Sequence, residues 1–302
     1  MNLPLSIRLL LADVDGTLLT NDKTLTPAAI DAIGELRNVD VALTIVSSRP
    51  PRGMRMLIEP MGLNCAMAGL NGGIYFNADL SIIRSYKLVP SAAKKAVDLI
   101  QSAGLDVWLF TEREWLVQDR KAPHVEREVW ILKFEPRVVR QYSTDDLAGA
   151  VKIVGVSDDP ARIDYCEVAL TSILGDHATV TKSQIYYVEV TDSQANKGVV
   201  VTSLSASLDI PVEDIATIGD MPTDTLMFHK SGFSIAMGNS SEAVKAQASA
   251  VTDTNENDGF AKAVRRYILR ESPIGFGPED VGPKRRKFRV RLMGWMAPVS
   301  GV

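Results

Sequence analysis

The sequence predicts an α/β protein, a doubly wound parallel sheet (Rossmann-like) interrupted by an inserted α+β segment. Three observations carry this. Short, near-continuous apolar runs of strand length alternate with segments whose apolar residues recur at helical spacing, the pattern of strands covered on both faces. Several of those runs stop abruptly at acidic or hydroxyl residues and glycine. The alternation breaks near Leu80 and resumes at Ala195, as it would if a second unit were threaded into the first.

Leu9-Leu10-Leu11-Ala12 is the first strand, and it ends at Asp13-Val14-Asp15-Gly16-Thr17-Leu18. Thr26-Pro27 reads as a helix cap followed by proline at the first helical position, and Ile30, Ile33 and Leu36 continue the helix. Residues 41–46 form a strand that stops at Ser47-Ser48-Arg49-Pro50, and a helix runs on through Met54, Leu57 and Ile58. Ala66-Met67-Ala68 is expected as a third strand of the same parallel sheet, ending at Gly69-Leu70-Asn71-Gly72-Gly73. Beyond Leu80 the spacing predicts a helix over 91–103, strands over 106–110 and 114–118, a strand over 151–156, a helix over 160–174, and strands over 178–181 and 185–190. Residues 121–149 are rich in charge and match no element. Asn196-Lys197-Gly198 opens a helix to about Leu208, and Ile215-Ala216-Thr217-Ile218 is a strand ending at Gly219-Asp220-Met221-Pro222-Thr223-Asp224. A helix through Leu226, Met227 and Phe228, a strand over 233–237 ending at Gly238-Asn239, and a helix over 258–270 follow. The expected organisation is a catalytic core of residues 1–79 and 188–270, an inserted α/β cap of residues 80–187, and a basic tail, 271–302.

Composition excludes several classes. With 302 residues, 46% of them hydrophobic and 23% charged, the chain can bury a sizeable core. No apolar run reaches the ~18 residues of a membrane helix, and the first residues lack the basic and cleavage regions of a secretory signal. Cys65 and Cys166 stand alone, without a C-x-x-C or a nearby histidine, so a reducing cytoplasm is expected rather than disulfides or a zinc site. His124, His177 and His229 have no metal or triad spacing. The net charge is −4, yet six basic residues (Lys284, Arg285, Arg286, Lys287, Arg289, Arg291) crowd the tail. The rest is therefore acidic and a poor partner for nucleic acid.

The strand ends carry the chemistry. Asp13 and Asp15 are two residues apart, so on an extended chain they point the same way. Carboxylates this close repel unless a cation sits between them, and oxygen ligands suit Mg²⁺. A D-x-D-G run can also open a calcium loop, but here the glycine comes too early, and Leu18 and Leu19 fill ligand positions. A plain strand-to-turn junction is the other reading of this stretch. Three further strand ends are polar: Ser47/Ser48, Asn71, and Asp220/Asp224; Lys197 stands at a helix start. The ends of one parallel sheet share one edge, where ligands bind in such folds. Carboxylates for a divalent metal, a serine hydroxyl and backbone amides for a phosphoryl oxygen, and a lysine to balance the charge suit phosphoryl transfer.

These motifs, in this order, resemble the haloacid dehalogenase superfamily, specifically its Cof-type class IIB hydrolases. The likeness covers residues 7–79 and 188–270. Asp13-Val14-Asp15-Gly16-Thr17-Leu18 matches the family's first motif, Ser47 its second, Lys197 its third, and Gly219-Asp220 with Asp224 its fourth. Asn71-Gly72-Gly73 and Ala236-Met237-Gly238-Asn239 resemble its Asn-Gly and Met-Gly-Asn signatures. The resemblance implies that Asp13 is a nucleophile forming an aspartyl-phosphate and that Asp15 protonates the leaving oxygen and then activates water. It implies Mg²⁺ on Asp13, on the backbone carbonyl of Asp15 and on Asp220, with Asp224 supporting through water. Around phosphate and substrate it implies Val14, Ser47, Ser48, Arg49, Asn71, Gly72, Lys197, Thr223 and Asn239. Two positions depart from the family pattern: Ser48 stands where glycine is usual, and Thr223 where asparagine is usual. Threonine keeps a hydroxyl but loses the amide donor.

The insert is located by spacing. Asp15 to Ser47 is 32 residues, enough for one helix and one strand, whereas Ser47 to Lys197 is 150. The excess is expected as a lid hinged near 77–79 and 189–193. The expected activity is a Mg²⁺-dependent phosphatase for small phosphorylated metabolites, sugar phosphates first, in the cytoplasm. Two alternatives stay open: a phosphomutase of the same fold, for which Arg120, Lys121, Arg127 and Lys133 could clamp a second phosphate, and a non-catalytic phosphate-binding protein. The tail reads equally as a solvated segment, a strap on the acidic body or a contact to anionic lipid. Oligomeric state has no signal in the sequence.

Overall fold

In a computed structural model the described residues are 7–270; the expectations for the basic tail lie outside them. In chain order the elements are β1 (Leu9–Ala12), α1 (Pro27–Asn38), β2 (Ala42–Ile45), α2 (Pro51–Met61), β3 (Met67–Gly69), β4 (Ile74–Phe76) and β5 (Ile82–Ser85). Then come α3 (Pro90–Ser102), β6 (Asp106–Phe110), β7 (Trp115–Val117), α4 (Val125–Leu132), β8 (Arg137–Val138), α5 (Thr144–Ala148), β9 (Lys152–Val156) and α6 (Pro160–Leu174). The chain closes with β10 (Ala178–Gln184), β11 (Tyr187–Asp192), α7 (Lys197–Leu208), β12 (Ile215–Gly219), α8 (Thr225–Phe228), β13 (Phe233–Ala236), α9 (Glu242–Lys245), β14 (Ala250–Val251) and α10 (Gly259–Ala263), the last running into a π-helical turn, Val264–Leu269. No helix among the described residues is long and apolar enough to cross a membrane.

The chain divides into two compact units. Among the described residues, one comprises 7–45, Leu63–Cys65 and 200–270. Its sheet is wholly parallel, in the order β14-β13-β12-β1-β2. The sequence explains this directly: Leu9, Leu10, Leu11 and Ala12 are all buried, as are Ile215 to Gly219, so neither strand has a wet face. Thr26 caps α1 by accepting from the Ala29 amide at 3.2 Å, with Pro27 in the first turn, and Ala29, Ala32, Ile33 and Leu36 form its buried stripe.

The other unit comprises Val46–Gly62 and Ala66–Val199. It holds a six-stranded sheet, β10-β11-β9-β6-β7-β8, and a three-stranded sheet, β3-β4-β5. One face of the larger sheet packs Leu109, Ile153, Val188 and Val190 against Ala93, Ala96 and Ile100 of α3 and Ile163, Cys166 and Leu170 of α6. The expectation of β3 as a full strand of the parallel sheet is corrected here. β3 makes one parallel bridge, Val46↔Ala68, and otherwise pairs antiparallel with β4. The cause is the turn between them: Leu70, Asn71 and Gly72 all have positive φ (50°, 59° and 97°), and three left-handed residues reverse the chain into a hairpin.

Candidate active site

In the first unit, β1 and β12 are parallel neighbours with Ala12 opposite Ile218, so both strands deliver their next residues to the same edge. The Asp13 amide extends the ladder by one bond, to the Ile218 carbonyl at 3.0 Å. The chain then turns tightly: the Val14 carbonyl accepts from the Leu18 and Leu19 amides, each at 3.0 Å. Gly16 makes that turn at φ +83°, and a Cβ there would lie 2.4 Å from Asp220 Oδ2. Both the left-handed backbone and the close approach demand glycine.

Asp13, Asp220 and Asp224 bring one carboxylate oxygen each to within 4.8 Å of one another. Asp13 and Asp220 are nearly buried and Asp224 completely so. Asp224 Oδ2 accepts from the Asp220 and Met221 amides, both at 2.8 Å, which fixes the loop after β12. Asp220 is held by Thr17 Oγ1 at 3.2 Å on Oδ1 and by Asn239 Nδ2 at 3.3 Å on Oδ2. Asn239 Nδ2 also reaches the Gly16 carbonyl at 3.0 Å. Three clustered carboxylates, hard oxygen donors with little access to water, are a fit for a divalent cation. Asp15 stands outside this trio; its carboxylate meets Lys23 Nζ at 2.8 Å. Thr223 is half-buried in the turn Pro222–Asp224.

In the second unit, Ser47, Ser48, Arg49, Asn71 and Gly72 come together. The Ser47 amide bonds to the Ala68 carbonyl at 3.0 Å, the Asn71 amide to the Ser47 carbonyl at 2.8 Å, and the Leu70 amide to the Arg49 carbonyl at 2.9 Å. Ser47 Oγ accepts from the Arg49 amide at 3.1 Å. Arg49 Nη1 donates to the carbonyls of Gly53 (3.2 Å) and Ile131 (3.0 Å), which ties this loop to α2 and α4. Lys197, almost fully buried, is the first residue of α7; Asn196 Oδ1 accepts from the Val199 amide at 2.9 Å in that first turn. Among the cations expected to clamp a second phosphate, Arg120 pairs with Glu126 and Glu135, and Arg127 and Lys133 lie over the rings of Tyr186 and Trp130.

Four residues carry contacts that the sequence reading does not include. Thr17 lies inside the first motif, but nothing in its type points to Asp220. Lys23 has no signal at all. Lys152 and Glu189 do have one: each is a lone charge in a run of strand apolars, Val151 to Val156 and Tyr187 to Val190. Both are 4% exposed and pair at 3.1 Å.

The sequence pattern of the haloacid dehalogenase-like hydrolases matches residues 10–264. Among similar proteins, the 5-amino-6-(5-phospho-D-ribitylamino)uracil phosphatase YitU of Bacillus subtilis is 27% identical over 271 residues, 86% of this chain and 97% of that one. The pyridoxal phosphate phosphatase YbhA of Escherichia coli is 22% identical, covering 88% and 100%. A haloacid dehalogenase-like hydrolase from Bacteroides thetaiotaomicron has the same fold, with a TM-score of 0.78, 23% identity, and coverage of 86% and 99%. A HAD subclass IIB sugar phosphatase superposes with a TM-score of 0.75 at 18% identity, covering 86% and 98%.

Proposed function

The chain belongs to the haloacid dehalogenase-like hydrolase family, Cof-type, and is a phosphatase; from that premise we propose that it is a Mg²⁺-dependent, cytoplasmic enzyme that hydrolyses small phosphorylated metabolites through an aspartyl-phosphate on Asp13. The observation that carries this reading is the meeting of Asp13 with Asp220 and Asp224 at the adjoining ends of β1 and β12.

In this mechanism an oxygen of Asp13 attacks phosphorus and the ester oxygen leaves. Asp15 delivers a proton to that oxygen and then takes one from the water that opens the acyl phosphate. Ser47, Lys197 and the amides of Val14 and Ser48 hold the phosphoryl oxygens. Asp13, the Asp15 carbonyl and Asp220 are the proposed Mg²⁺ ligands, with Asp224 supporting through water. When bound, the ion offsets the repulsion between carboxylates and a phosphate dianion. Asp224, already committed to two backbone amides, supports the site mainly by fixing Asp220. Arg49, Asn71, Gly72, Thr223 and Asn239 complete the surroundings of phosphate and substrate, with residues 80–187 as the lid that excludes bulk water.

The similar proteins suggest the range of substrates. Their names specify a phosphoribitylamino-uracil, pyridoxal phosphate and sugar phosphates, all monoesters of small polar molecules, and we place sugar phosphates first. The test is a screen of phosphate release across sugar, nucleotide and cofactor phosphates with Mg²⁺ or chelator, beside Asp13→Asn. Metal-dependent release from one class, absent in Asp13→Asn, is the expected outcome. Release that is indifferent to both metal and Asp13 would refute the reading.

A further inference from the structure

The buried pair Lys152–Glu189 is a costly way to hold a sheet together. Taking two charges out of water is costly, and an apolar pair of similar volume commonly serves a fold as well. The reason for the pair lies in where its other contacts go. Glu189 Oε1 also accepts from Ser183 Oγ at 2.7 Å, and Glu189 Oε2 accepts from Asn71 Nδ2 at 2.9 Å. Lys152 Nζ donates to the Ser48 carbonyl at 3.2 Å and lies 5.4 Å from the centre of the Phe110 ring. Lys152 stands opposite Thr191, and Glu189 opposite Val154. The two are thus diagonal neighbours on one face of the sheet, and both reach out of it to the loop that follows β2 and to the β3–β4 turn.

Two peptide planes of this loop are held, one by Lys152 directly and one by the backbone of Asn71, whose side chain Glu189 holds. A trans peptide is planar, with its C=O and N–H pointing in opposite directions. The Ser47 carbonyl is held by the Asn71 amide at 2.8 Å, which sets the direction of the Ser48 N–H. The Ser48 carbonyl is held by Lys152, which sets the direction of the Arg49 N–H, and that N–H is the group that donates to Ser47 Oγ at 3.1 Å. With its oxygen accepting from Arg49, the Ser47 hydroxyl has its proton left to donate. Asn71 itself sits between Leu70 and Gly72 in a run of three positive φ angles, a conformation that is costly for leucine and tolerated by asparagine and glycine. Glu189 fixes the Asn71 side chain within that turn.

We propose that Lys152 and Glu189 are positioning residues of the phosphoryl-binding loop, a buried ion pair that presents the Ser47 hydroxyl and the Ser48 amide as donors to a phosphoryl oxyanion. The proposal rests on the phosphatase reading of Ser47 and Ser48. It separates this pair from the surface ion pairs of the same sheet, such as Lys182 with Asp164 at 2.6 Å, which touch no part of that loop.

The test compares wild type, Ser47→Ala, the apolar double variant Lys152→Met/Glu189→Met, and the triple combination, in the full chain. Read-outs are the melting temperature, kcat/KM on an active phosphate ester, and inhibition by orthovanadate. The double variant is expected to stay folded and melt within a few degrees of wild type. It should lose about 10²-fold in kcat/KM, the scale of a small misplacement of a working group, with vanadate affinity falling in parallel. In the Ser47→Ala background the same change should cost much less, because the group it positions is gone. A merely structural role would multiply the two losses independently, and that result overturns the proposal. So does a double variant with wild-type kcat/KM and vanadate inhibition. Should the double variant not fold, Lys152→Arg, which keeps the charge but replaces the compact ammonium at the Ser48 carbonyl by a longer planar guanidinium, goes through the same cycle, and the same results support or overturn the proposal. If Ser47→Ala alone leaves activity and vanadate inhibition unchanged, the phosphatase reading of Ser47 fails, an outcome distinct from failure of the pair.

Discussion

Lys23 Nζ lies 2.8 Å from the Asp15 carboxylate, so the group assigned to proton transfer does not swing freely beside the nucleophile. Lys23 holds this position from a left-handed backbone, φ +58°, in the loop that follows the tight turn at Gly16. The candidate metal cluster is formed by the carboxylates of Asp13, Asp220 and Asp224, and Asp15 has Lys23 as an ion-pair partner.

Replacing Lys23 by methionine should therefore disorder Asp15 while leaving the nucleophile intact. A positioned proton carrier contributes ~10² to 10⁴ in rate, and Lys23→Met should forfeit part of it, about tenfold or more, on alkyl phosphates. On aryl phosphates, whose leaving groups need little protonation, the loss should be small. Steady-state kinetics on both ester types measure this, with Asp15→Asn as the reference for complete loss. Equal losses on both esters would show that Lys23 does not act through Asp15.

Metal binding should be visible in thermal stability before any turnover. A ligand at 100 times its Kd stabilises the folded state by about 2.7 kcal/mol, so Mg²⁺ should raise the melting temperature of wild type by several degrees. Asp220→Ala should abolish that rise. Asp224→Ala should do so too, and should also melt lower without metal, because the Asp220 and Met221 amides lose their acceptor at about 1–3 kcal/mol for each unpaired group. Differential scanning calorimetry with and without chelator separates the two effects.

Gly16→Ala tests the close approach to Asp220. The added Cβ would fall 2.4 Å from Asp220 Oδ2, on a backbone at φ +83°. The carboxylate must move, and the expected result is loss of the Mg²⁺-dependent rise in melting temperature together with phosphatase activity. A Gly16→Ala protein with wild-type Mg²⁺ response would mean that the turn is more pliant than its geometry implies.

Much of this site could be read from the chain because each strand that supports it is apolar to its last residue. Leu9 to Ala12 and Ile215 to Gly219 are buried throughout, so the change to Asp13 and Asp220 marks the sheet edge. The helix α6 matches its expected span because Asp159 caps it, accepting from the Ala161 amide at 3.0 Å, and Pro160 opens it. Residues 121–149 are illegible for the opposite reason. There α4 has only eight residues, bounded by left-handed His124 and Lys133, and the two residues of β8 are both exposed. Neither periodicity nor burial has room to show. The expected strand over 185–190 is displaced because Ile185, apolar by type, is exposed at the hairpin, and β11 starts at Tyr187. Lys152 and Glu189 stand out as charges within apolar strand runs, but a one-residue view of a strand cannot reveal a partner on the neighbouring strand.

Cys166, in the packed face of α6, should be chemically inert in the folded protein. Burial pushes its thiol up to about 11, against ~8.5 in an unfolded chain. At pH 8 the native thiolate is scarce and inaccessible, and alkylation by iodoacetamide should be slow until denaturant is added. The linkage has a definite sign. Above pH ~8.5 the unfolded chain gives up this proton and the folded one keeps it, so this group erodes stability as pH rises from about 8.5 toward 11. Replacing Cys166 by alanine should flatten that part of the stability–pH curve, at the cost of a small cavity.

The central claim is covalent catalysis by Asp13, and chemical trapping of the intermediate tests it most directly. Protein quenched in acid during turnover of an active phosphate ester is reduced with borohydride, which converts an aspartyl-phosphate, but not a free carboxylate, to homoserine. Peptide mapping by mass spectrometry then locates the product. The account predicts homoserine at position 13, formed only with substrate and metal, and none in Asp13→Asn, which should also be inactive. Turnover by Asp13→Asn, or homoserine at Asp15 instead of Asp13, would contradict it.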